Sequence, residues 1–360
     1  MHARMEGMSV PITSLPITPP LEPMLAKAQA RVPDDAGVWS YEPKWDGFRA
    51  LVFRDGDHVV LLSRSGKDLA RYFPEVLDAV RHELAPRCVL DGEIVVPREI
   101  GGRTRLDWES LSQRIHPAES RVRKLSQETP AHFIGFDALA TGDTSLMKEP
   151  FRTRRAALLD AVAHQQWCHV TRTSEDPALG ARWLEEFEGA GLDGVIAKRL
   201  DGPYLPGKRE MVKVKHHRDA DCVAIGYRIH KSGEGIGSIL LGLHRQDGEL
   251  QMVGGAASFT AKARLQLLEE LEPLRIGDDV RDGEPSRWNS AADKRWIPIR
   301  PEKVCEVAYD QMEGNSENGR RFRHAVKFLR WRPDRDPQSC RFDQLDAPLK
   351  FDLYDVLENQ

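Results

Sequence analysis

The feature that most constrains the fold is a change of pattern near residue 216. Before it, segments with strand-like and helix-like apolar spacing alternate, which is typical of an α+β domain. Beyond it, short strand-like segments with glycine-rich joints surround a single predicted helix, which favours a small β-barrel of the OB type. A chain of 360 residues suits roughly two domains. We therefore predict an α+β domain followed by a C-terminal OB-fold domain.

This division predicts four segments. Residues 1–20 are rich in proline and are expected to form a flexible leader. Residues 21–217 form the α+β domain, residues 218–345 the OB-fold domain and residues 346–360 a C-terminal tail. The hinge between the two domains is expected at residues 216–221.

Apolar periodicity locates the individual elements. In the first domain we predict strands at 50–53, 59–62, 89–96, 133–139, 195–197 and 212–214, and helices at 73–84, 153–163 and 178–190. In the second domain we predict strands at 222–229, 238–244, 250–254, 304–309 and 322–329, and a helix at 260–272.

Composition excludes several classes of protein. No apolar run approaches about 20 residues, so no transmembrane helix or secretory signal is expected. The five cysteines are scattered without a C-x-x-C pair, which argues against a zinc ribbon or disulfide scaffold and indicates a reducing compartment.

Two segments of the chain are strongly basic. Residues 198–218 carry seven Lys or Arg against two acidic residues, and residues 320–335 carry seven against one. These basic segments, on a chain of net charge −4, indicate a polyanion bound at one face.

Lys44 is the candidate nucleophile. It opens a K-x-D-G-x-R sequence that continues through Asp46 to Arg49. A deprotonated lysine amine can attack phosphorus and hold a nucleotide as a phosphoramidate. Because an ordinary lysine has a pKa near ~10.4, such a site must desolvate the amine or place cations beside it. The motif alone is also typical of a surface turn, so the residues that follow it decide the interpretation.

Further candidates follow downstream. In chain order they are Arg64, Glu93, Phe136, Asp193, Lys198, Lys213 and Lys215. Arg64 and Phe136 are predicted at strand ends, and Glu93 just past an apolar strand. Lys213 and Lys215 alternate along a strand, so both side chains are expected on the same side.

Each residue type has a physical role in nucleotide transfer. Glu93 and Asp193 would hold Mg²⁺ or Mn²⁺ near the α-phosphate. Arg49 and Arg64 would bind the ribose or phosphate oxygens, and Phe136 would stack on a purine. The lysines would hold the α-phosphate and lower the pKa of the nucleophile. Each of these residues by itself is also typical of an ordinary ion pair, a core position or an exposed strand. The specific indication of a nucleotide-transfer site is the occurrence of all of them in this order.

In this order the residues resemble the covalent nucleotidyltransferase superfamily, and more closely the ATP-dependent DNA ligases. The resemblance runs from Pro23 to about Leu345. It includes RWRPDR at 330–335, which is similar to the family's closing motif of R-x-D-K type, with Arg335 in place of the lysine. The small size and the sequence at 336–340 resemble the compact bacterial type C repair ligases.

The resemblance implies a nucleotidyltransferase (adenylation) domain followed by the OB-fold domain. It also implies roles that the motifs leave open. Glu42 would accept a hydrogen bond from the adenine amino group, which favours ATP over GTP, and Asp46 would act in the nick chemistry. The residues expected to close over the nucleotide are Arg332, Asp334 and Arg335.

One position departs from the family pattern. Asp193-Gly194 stands where ATP-dependent ligases usually have Glu-Gly, whereas mRNA capping enzymes typically have Asp-Gly. A GTP-dependent capping-type enzyme and an RNA ligase therefore remain alternatives. A third alternative is a non-catalytic OB-fold protein that binds nucleic acid through its basic segments.

The function implied by the resemblance is ATP-dependent sealing of nicks between a 3′-hydroxyl and a 5′-phosphate, through a covalent lysyl-AMP. The expected partners are ATP, nicked double-stranded DNA and other repair proteins. The expected form is a monomer in the bacterial cytoplasm or nucleoid, without membrane association.

Overall fold

The computed structural model describes residues 12, 14–163, 166–216, 218–282, 295–313, 320–345 and 351–357. Its chain forms two compact units. The first contains the described residues up to Lys215 together with 351–357, and the second contains those from His216 to Leu345. The chain therefore leaves the first unit after Lys215 and re-enters it before Phe351. No helix in these ranges is long and apolar enough to cross a membrane.

Two main sheets and a small two-stranded sheet form the first unit. Its strands are β1 (Leu25–Gln29), β2 (Trp39–Pro43), β3 (Phe48–Asp55), β4 (His58–Ser63), β5 (Arg87–Val95), β6 (Pro97–Glu99), β7 (Thr104–Leu106), β8 (His132–Thr141), β9 (Thr144–Ser145), β10 (Cys168–Val170), β11 (Val195–Arg199) and β12 (Arg209–Val214). One sheet has the order β1-β12-β11-β2 and the other β10-β8-β5-β3-β4, with β9 beside β8. Buried Val95 and Ile134 of the larger sheet pack in one cluster with Val195 and Val212 of the smaller. The sheets therefore pack face to face.

Helices pack against both sheets: Pro74–Glu83 and Phe151–Ala161 lie against the larger sheet, and Pro177–Glu186 lies against the smaller. The helices of the first unit are Pro74–Glu83, Trp108–Gln113, Glu119–Glu128, Phe151–Ala161, Pro177–Glu186 and Leu353–Leu357. The helices predicted at 73–84 and 153–163 are confirmed. The segment predicted as one helix at 178–190 changes to a 3₁₀ turn at Phe187–Ala190. The two helices between residues 108 and 128 were not predicted.

Two side chains lie at different places on their strands from those predicted. Glu93 lies within β5 and Phe136 within β8, as the predicted strands at 89–96 and 133–139 require. The separate predictions that Glu93 lies just past an apolar strand and that Phe136 lies at a strand end are wrong. Polar or glycine residues in these strands interrupt the apolar runs without ending the hydrogen-bonded ladder. Part of the leader also differs from expectation, because Ile12, Leu15 and Ile17 are buried against the first unit, whereas residues 1–11 and 13 lie outside the described residues.

The second unit is rich in antiparallel strands. They are β13 (Arg218–Ile229), β14 (Ile236–His244), β15 (Leu250–Ala257), β16 (Ile297–Pro298), β17 (Val304–Tyr309), β18 (Met312–Glu313), β19 (Arg321–Phe322) and β20 (Lys327–Trp331). The main sheet has the order β15-β14-β13-β17-β20, and the predicted helix is confirmed at Ala261–Leu271. The strand predicted at 322–329 is wrong, because residues 323–326 separate β19 from β20.

The predicted closed barrel is not formed by the described residues. The edge strands β15 and β20 meet only through an isolated bridge between Ala256 and Val326. One buried cluster packs against this sheet, and it includes Val223, Leu241 and Val307. The described part of the second unit thus contains most of the strands, and the helix, predicted for an OB-like domain, but its sheet is open.

Part of the predicted C-terminal tail belongs to the first unit. Leu353, Val356 and Leu357 are buried in the same cluster as Trp183 and Phe187. The backbone N–H of Thr104 donates to the Asp352 carboxylate at 2.9 Å. Apolar burial therefore docks residues 351–357, while 346–350 and 358–360 lie outside the described residues.

Candidate active site

A cavity of about 260 Å³ opens between the two sheets of the first unit. Many of the residues predicted from sequence line it: Glu42, Lys44, Arg49, Arg64, Glu93, Phe136, Lys213 and Lys215. Leu25, Ile196 and Met211 supply apolar walls that sequence reasoning did not identify. The fold therefore gathers side chains from eight strands and their ends into one site.

The pairing of β2 with β11 places Lys44 opposite Asp193. The Lys44 N–H donates to the Gly194 carbonyl at 2.8 Å, and the Asp193 N–H donates to the Lys44 carbonyl at 3.0 Å. Gly194 has φ +126°, and a Cβ there would lie 2.1 Å from the Val214 carbonyl oxygen. A Cβ on Gly47 would lie 2.1 Å from the Ile94 carbonyl oxygen. Close backbone approach therefore explains the glycine in both Asp-Gly pairs.

Asp193 is the anion nearest to the candidate nucleophile. Its Oδ2 lies 2.6 Å from Lys44 Nζ and 2.8 Å from Lys215 Nζ. Burial raises the pKa of this carboxyl, but the two lysines outweigh that effect and hold the pKa below its ordinary value. Asp193 does not itself line the cavity, so it supports two cations that do.

Glu93 and Lys213 both line the cavity, and in each of them the surroundings disfavour the charged form of the side chain. Burial raises the pKa of Glu93 to about 7, despite the opposing charges of Arg49 and Lys44. The Gly47 N–H donates to Glu93 Oε1 at 3.2 Å. Burial also lowers the pKa of Lys213, and the neighbouring Lys215 lowers it further. Both groups would be stabilised in their charged forms by a ligand of opposite charge.

Arg49 is held by residues that the sequence analysis missed. Its guanidinium makes two bonds to the Asp91 carboxylate, at 2.6 and 2.5 Å. Asp91 is completely buried and also accepts a hydrogen bond of 2.6 Å from the Tyr204 hydroxyl. The Arg49 guanidinium lies 4.6 Å from the centre of the Phe136 ring. The sequence offered one signal for the role of Asp91 in holding Arg49, which is its position directly before Gly92 and Glu93. No sequence signal marked Tyr204 for this role.

Lys198 does not line the cavity, although the sequence predicted that it binds the cofactor. Its Nζ lies 3.0 Å from Glu42 Oε1 and donates to the Phe136 carbonyl at 2.7 Å. It is only 2% exposed and lies behind these two residues, where it lines a second cavity of about 270 Å³. Asp46 also lies outside the lining of the first cavity and is half-buried.

The closing-motif residues form an ion network in the second unit. Arg332 Nη1 lies 3.1 Å from Asp221 Oδ1, and Arg335 Nε lies 3.1 Å from Asp221 Oδ2. Arg332 also contacts Glu306 at 3.4 Å and Asp334 at 2.8 Å. The hydrogen bond from Arg332 lowers the pKa of the Asp334 carboxyl to about 2. Sequence reasoning missed Asp221 and Glu306, which hold this segment.

Comparisons with known proteins identify the family. A family model described as the ATP dependent DNA ligase domain matches residues 23–215, and one described as the ATP dependent DNA ligase C terminal region matches residues 232–335. The chain belongs to the ATP-dependent DNA ligases. It is 81% identical to DNA ligase C1 of Mycolicibacterium smegmatis, covering 96% of this chain and 99% of that protein. It is 51% identical to DNA ligase C of Mycobacterium tuberculosis, covering 95% and 98%.

A solved Lig E DNA ligase shares the fold of this ligase. The TM-score is 0.53 at 18% identity, and the match covers 86% of this chain and 99% of that chain. The family models and the curated relatives confirm the prediction of an ATP-dependent DNA ligase with a nucleotidyltransferase domain followed by a C-terminal ligase domain. ATP and DNA follow as its substrates, and the capping, RNA-ligase and non-catalytic alternatives are disfavoured.

The chemistry of Glu93 and Asp193 fits a magnesium ion in this ligase. Both are carboxylates, the oxygen ligands that Mg²⁺ prefers, and both lie beside Lys44. The described residues contain no cluster of three or more His, Cys, Asp or Glu side chains able to hold a metal. Because Mg²⁺ is commonly held by one or two carboxylates together with substrate phosphates and water, this donor set suits a site completed by the nucleotide.

Proposed function

We propose that this ligase seals 3′-hydroxyl/5′-phosphate nicks in duplex DNA through an AMP linked to Lys44. The observation that carries the proposal is the position of the Lys44 amine. It lies in a cavity that also presents Lys213, Lys215 and Arg49, and it contacts Asp193 at 2.6 Å. A nucleophilic amine beside several cations is the arrangement that phosphoryl transfer requires.

In the first step, the deprotonated amine of Lys44 attacks the α-phosphorus of ATP. The new P–N bond forms as the P–O bond to pyrophosphate breaks, and the proton lost from the amine passes to solvent. Lys213 and Lys215 would bind the α-phosphate oxygens, and Arg49 and Arg64 the ribose or the phosphates. Charge stabilisation by these fixed cations is the main contribution of the protein to this step.

The adenine is proposed to bind between Phe136 and the apolar wall formed by Ile196 and Met211. Glu42 lines the cavity, and its Oε2 is buried without a hydrogen-bond partner among the described residues. An acceptor left in this state suits the exocyclic amino group of adenine. The same oxygen would repel the carbonyl oxygen of guanine, which supports ATP rather than GTP as the donor.

We propose Glu93 and Asp193 as the residues that hold Mg²⁺ or Mn²⁺. A divalent cation there would neutralise charge on the transferring phosphoryl group and the leaving pyrophosphate. When no divalent cation is bound, Asp193 holds Lys44 and Lys215 by ion pairs.

The later steps consume the adenylate. The 5′-phosphate at the nick attacks the phosphorus of Lys44-AMP, which frees the lysine and forms a 5′–5′ pyrophosphate linkage. The 3′-hydroxyl then attacks the 5′-phosphate and releases AMP. We propose Asp46 for this nick chemistry and the basic segments 198–218 and 320–335 for binding DNA phosphates. The residues proposed to act on the pyrophosphate in the first step are Arg332, Asp334 and Arg335.

The cellular role is proposed to be DNA repair by a monomer in the bacterial cytoplasm or nucleoid, with other repair proteins as partners. The DNA ligase C1 and DNA ligase C relatives come from Mycolicibacterium smegmatis and Mycobacterium tuberculosis, which supports the bacterial part of this proposal. All five cysteines are free thiols, which suits a reducing compartment. We further propose that a hinge near residues 216–221 divides the adenylation domain, residues 21–217, from the OB-fold domain, residues 218–345.

The test is self-labelling with α-labelled ATP and Mg²⁺, followed by sealing of nicked DNA. Wild-type protein should acquire one labelled AMP and seal the nick, whereas Lys44→Ala should do neither. Lys67→Ala, at an exposed position outside the cavity, is the control and should behave as wild type. Labelling from GTP alone would overturn the proposal in favour of a capping-type enzyme, and sealing of nicked RNA but not DNA would redirect it to an RNA ligase.

A further inference from the structure

Lys198 is a buried cation whose charge is not used by the mechanism above. It is 2% exposed, on β11, and lies in a network with Glu42, Asp137 and Arg154, all at least nine-tenths buried. A buried lysine is costly unless anions compensate it, so its partners indicate what it does. The network lies directly behind two residues proposed to bind adenine, Glu42 and Phe136.

The geometry directs the charge of Lys198 towards Glu42. Lys198 Nζ lies 3.0 Å from Glu42 Oε1 and 3.8 Å from Asp137 Oδ2. Asp137 is already neutralised by Arg154, which donates to it at 2.7 and 3.1 Å. Arg154 also donates to the carbonyls of Glu149 and Gly202, at 2.6 and 2.8 Å, so it is fixed independently. Glu42 is therefore the anion that depends most on Lys198.

Lys198 also contacts the proposed stacking residue. Its Nζ donates to the Phe136 carbonyl at 2.7 Å and lies 4.8 Å from the centre of the Phe136 ring. On its other side, Nζ lies 4.7 Å from the centre of the Phe151 ring. One ammonium group thus holds the strand that carries Phe136 and the carboxylate of Glu42 in a fixed relation.

We propose that Lys198 is a positioning residue for base selection, which turns Glu42 so that its free Oε2 accepts the amino group of adenine. The inference rests on the proposed function of the cavity and goes beyond it, because it assigns the choice of purine to a residue outside the cavity. Oε1 is occupied by Lys198, so Oε2 is the oxygen left to the base.

The ionisation state of Glu42 decides which purine it recognises. A carboxylate only accepts hydrogen bonds, so it suits the 6-amino group of adenine; a carboxylic acid can donate, so it suits the 6-carbonyl of guanine. Burial raises the pKa of Glu42 above its ordinary value, and Lys198 is the strongest influence that limits this rise. The other charged groups that face Glu42 are Arg155, which favours its ionised form, and Asp137, which disfavours it. Loss of Lys198 should therefore favour the protonated form.

The experiment compares self-labelling from α-labelled ATP and GTP by the full chain, with kcat and KM measured for each nucleotide. Lys198→Met removes the charge at similar length, Lys198→Gln keeps a donor for the Phe136 carbonyl, and Lys198→Arg keeps the charge. The matched control is Arg114→Met, which removes another buried cation of the same unit, one paired with Glu75 away from the cavity. Thermal unfolding is recorded for every variant.

We expect Lys198→Met and Lys198→Gln to lose about tenfold or more of the preference for ATP over GTP, mainly through KM for ATP. The loss should deepen as the pH is lowered, because Glu42 protonates. Lys198→Arg should recover most of the preference, and Arg114→Met should keep the wild-type preference even if it unfolds at a lower temperature. Adding Glu42→Gln to Lys198→Gln should change the preference no further than Glu42→Gln alone, since both act through one carboxylate.

An unchanged ATP preference in folded Lys198→Gln would overturn the inference, as would an equal loss of preference in Arg114→Met. Those outcomes are separate from failure of the proposed function, in which the wild-type protein would take no label from ATP.

Discussion

The Nζ atom of Lys44 lies 2.6 Å from Oδ2 of Asp193, although 149 positions separate the two residues in the chain. The pairing of β2 with β11 creates this contact. The same oxygen lies 2.8 Å from Lys215 Nζ. One oxygen of Asp193 therefore holds both the proposed nucleophile, Lys44, and a proposed phosphate-binding lysine, Lys215. We expect the charge and the side-chain length of Asp193 to affect the transfer of AMP to Lys44.

Replacing Asp193 tests that arrangement. Asp193→Asn keeps the size of the side chain but removes the charge shared by two lysines, and we expect self-adenylation to fall about 100-fold or more. Asp193→Glu keeps the charge and should retain most activity. Single-turnover labelling from ATP measures both. A wild-type rate in Asp193→Asn would contradict the electrostatic role, provided that the variant remains folded.

Gly194→Ala tests the backbone that places Asp193. The new Cβ would lie 2.1 Å from the Val214 carbonyl oxygen, so β11 and β12 would have to separate beside Lys215. We expect a large loss of self-adenylation and a lower unfolding temperature. Gly142→Ala is the matched control, because Gly142 also has positive φ, at +56°, but nothing lies within 4 Å of its Cβ position. Equal effects of the two changes would show that φ strain alone is responsible.

The buried pair His132 and His169 should make the first unit sensitive to acid. Nδ1 of His132 lies 3.0 Å from Nε2 of His169, and burial lowers their pKa values to about 3 and about 4. In the unfolded chain both would titrate near ~6.5, so the unfolded state binds more protons below that pH. Stability should therefore be complete above about pH 6.5 and fall as the pH drops towards about 4, by roughly 1.4 kcal/mol per histidine and pH unit.

The measurement is the free energy of unfolding as a function of pH. His132→Phe should show a shallower decline than wild type between about pH 6.5 and 4, because one depressed histidine is removed. His82→Gln, at an exposed position, should reproduce the wild-type slope. Parallel curves for wild type and His132→Phe would rule out this source of acid sensitivity.

The C-terminal helix should contribute to the stability of the first unit. Leu353 is completely buried and packs in the cluster that contains Trp183 and Phe187. We expect Leu353→Ala to cost about 2–5 kcal/mol, the usual range for a buried leucine. Tyr354→Ala is the neighbouring control, because Tyr354 is 42% exposed. Thermal unfolding that is unaffected by Leu353→Ala would mean that the helix is not held in solution.

Local patterns predicted much of the first unit. Strands β3, β4, β5 and β8 and the helix Pro74–Glu83 follow from apolar spacing over segments long enough to carry a clear period. The short strands β1 and β2 were not predicted, since β1 is mostly exposed and β2 is wholly buried, so neither shows alternation. Strand β20 begins later than expected because residues 323–326 leave the ladder, although two of them, Ala325 and Val326, are apolar.

The sequence likewise predicted only part of the candidate site. Lys44, Glu93, Phe136, Lys213 and Lys215 could be selected from the sequence, because residue type and order together match a known chemistry. Their convergence on one cavity, the burial of Lys198 behind it and the support of Arg49 by Tyr204 depend on contacts between distant parts of the chain. Such contacts leave no local pattern to detect.

The sequence by itself determined the α+β character of the first unit, the β-rich second unit and the ligase family, because periodicity and motif order are properties of the chain. Only the tertiary structure decided which side chains share a cavity, which oxygen of Glu42 is left without a partner, and where the C-terminal segment docks. Those outcomes are set by strand register and apolar burial, which act between residues far apart in the chain.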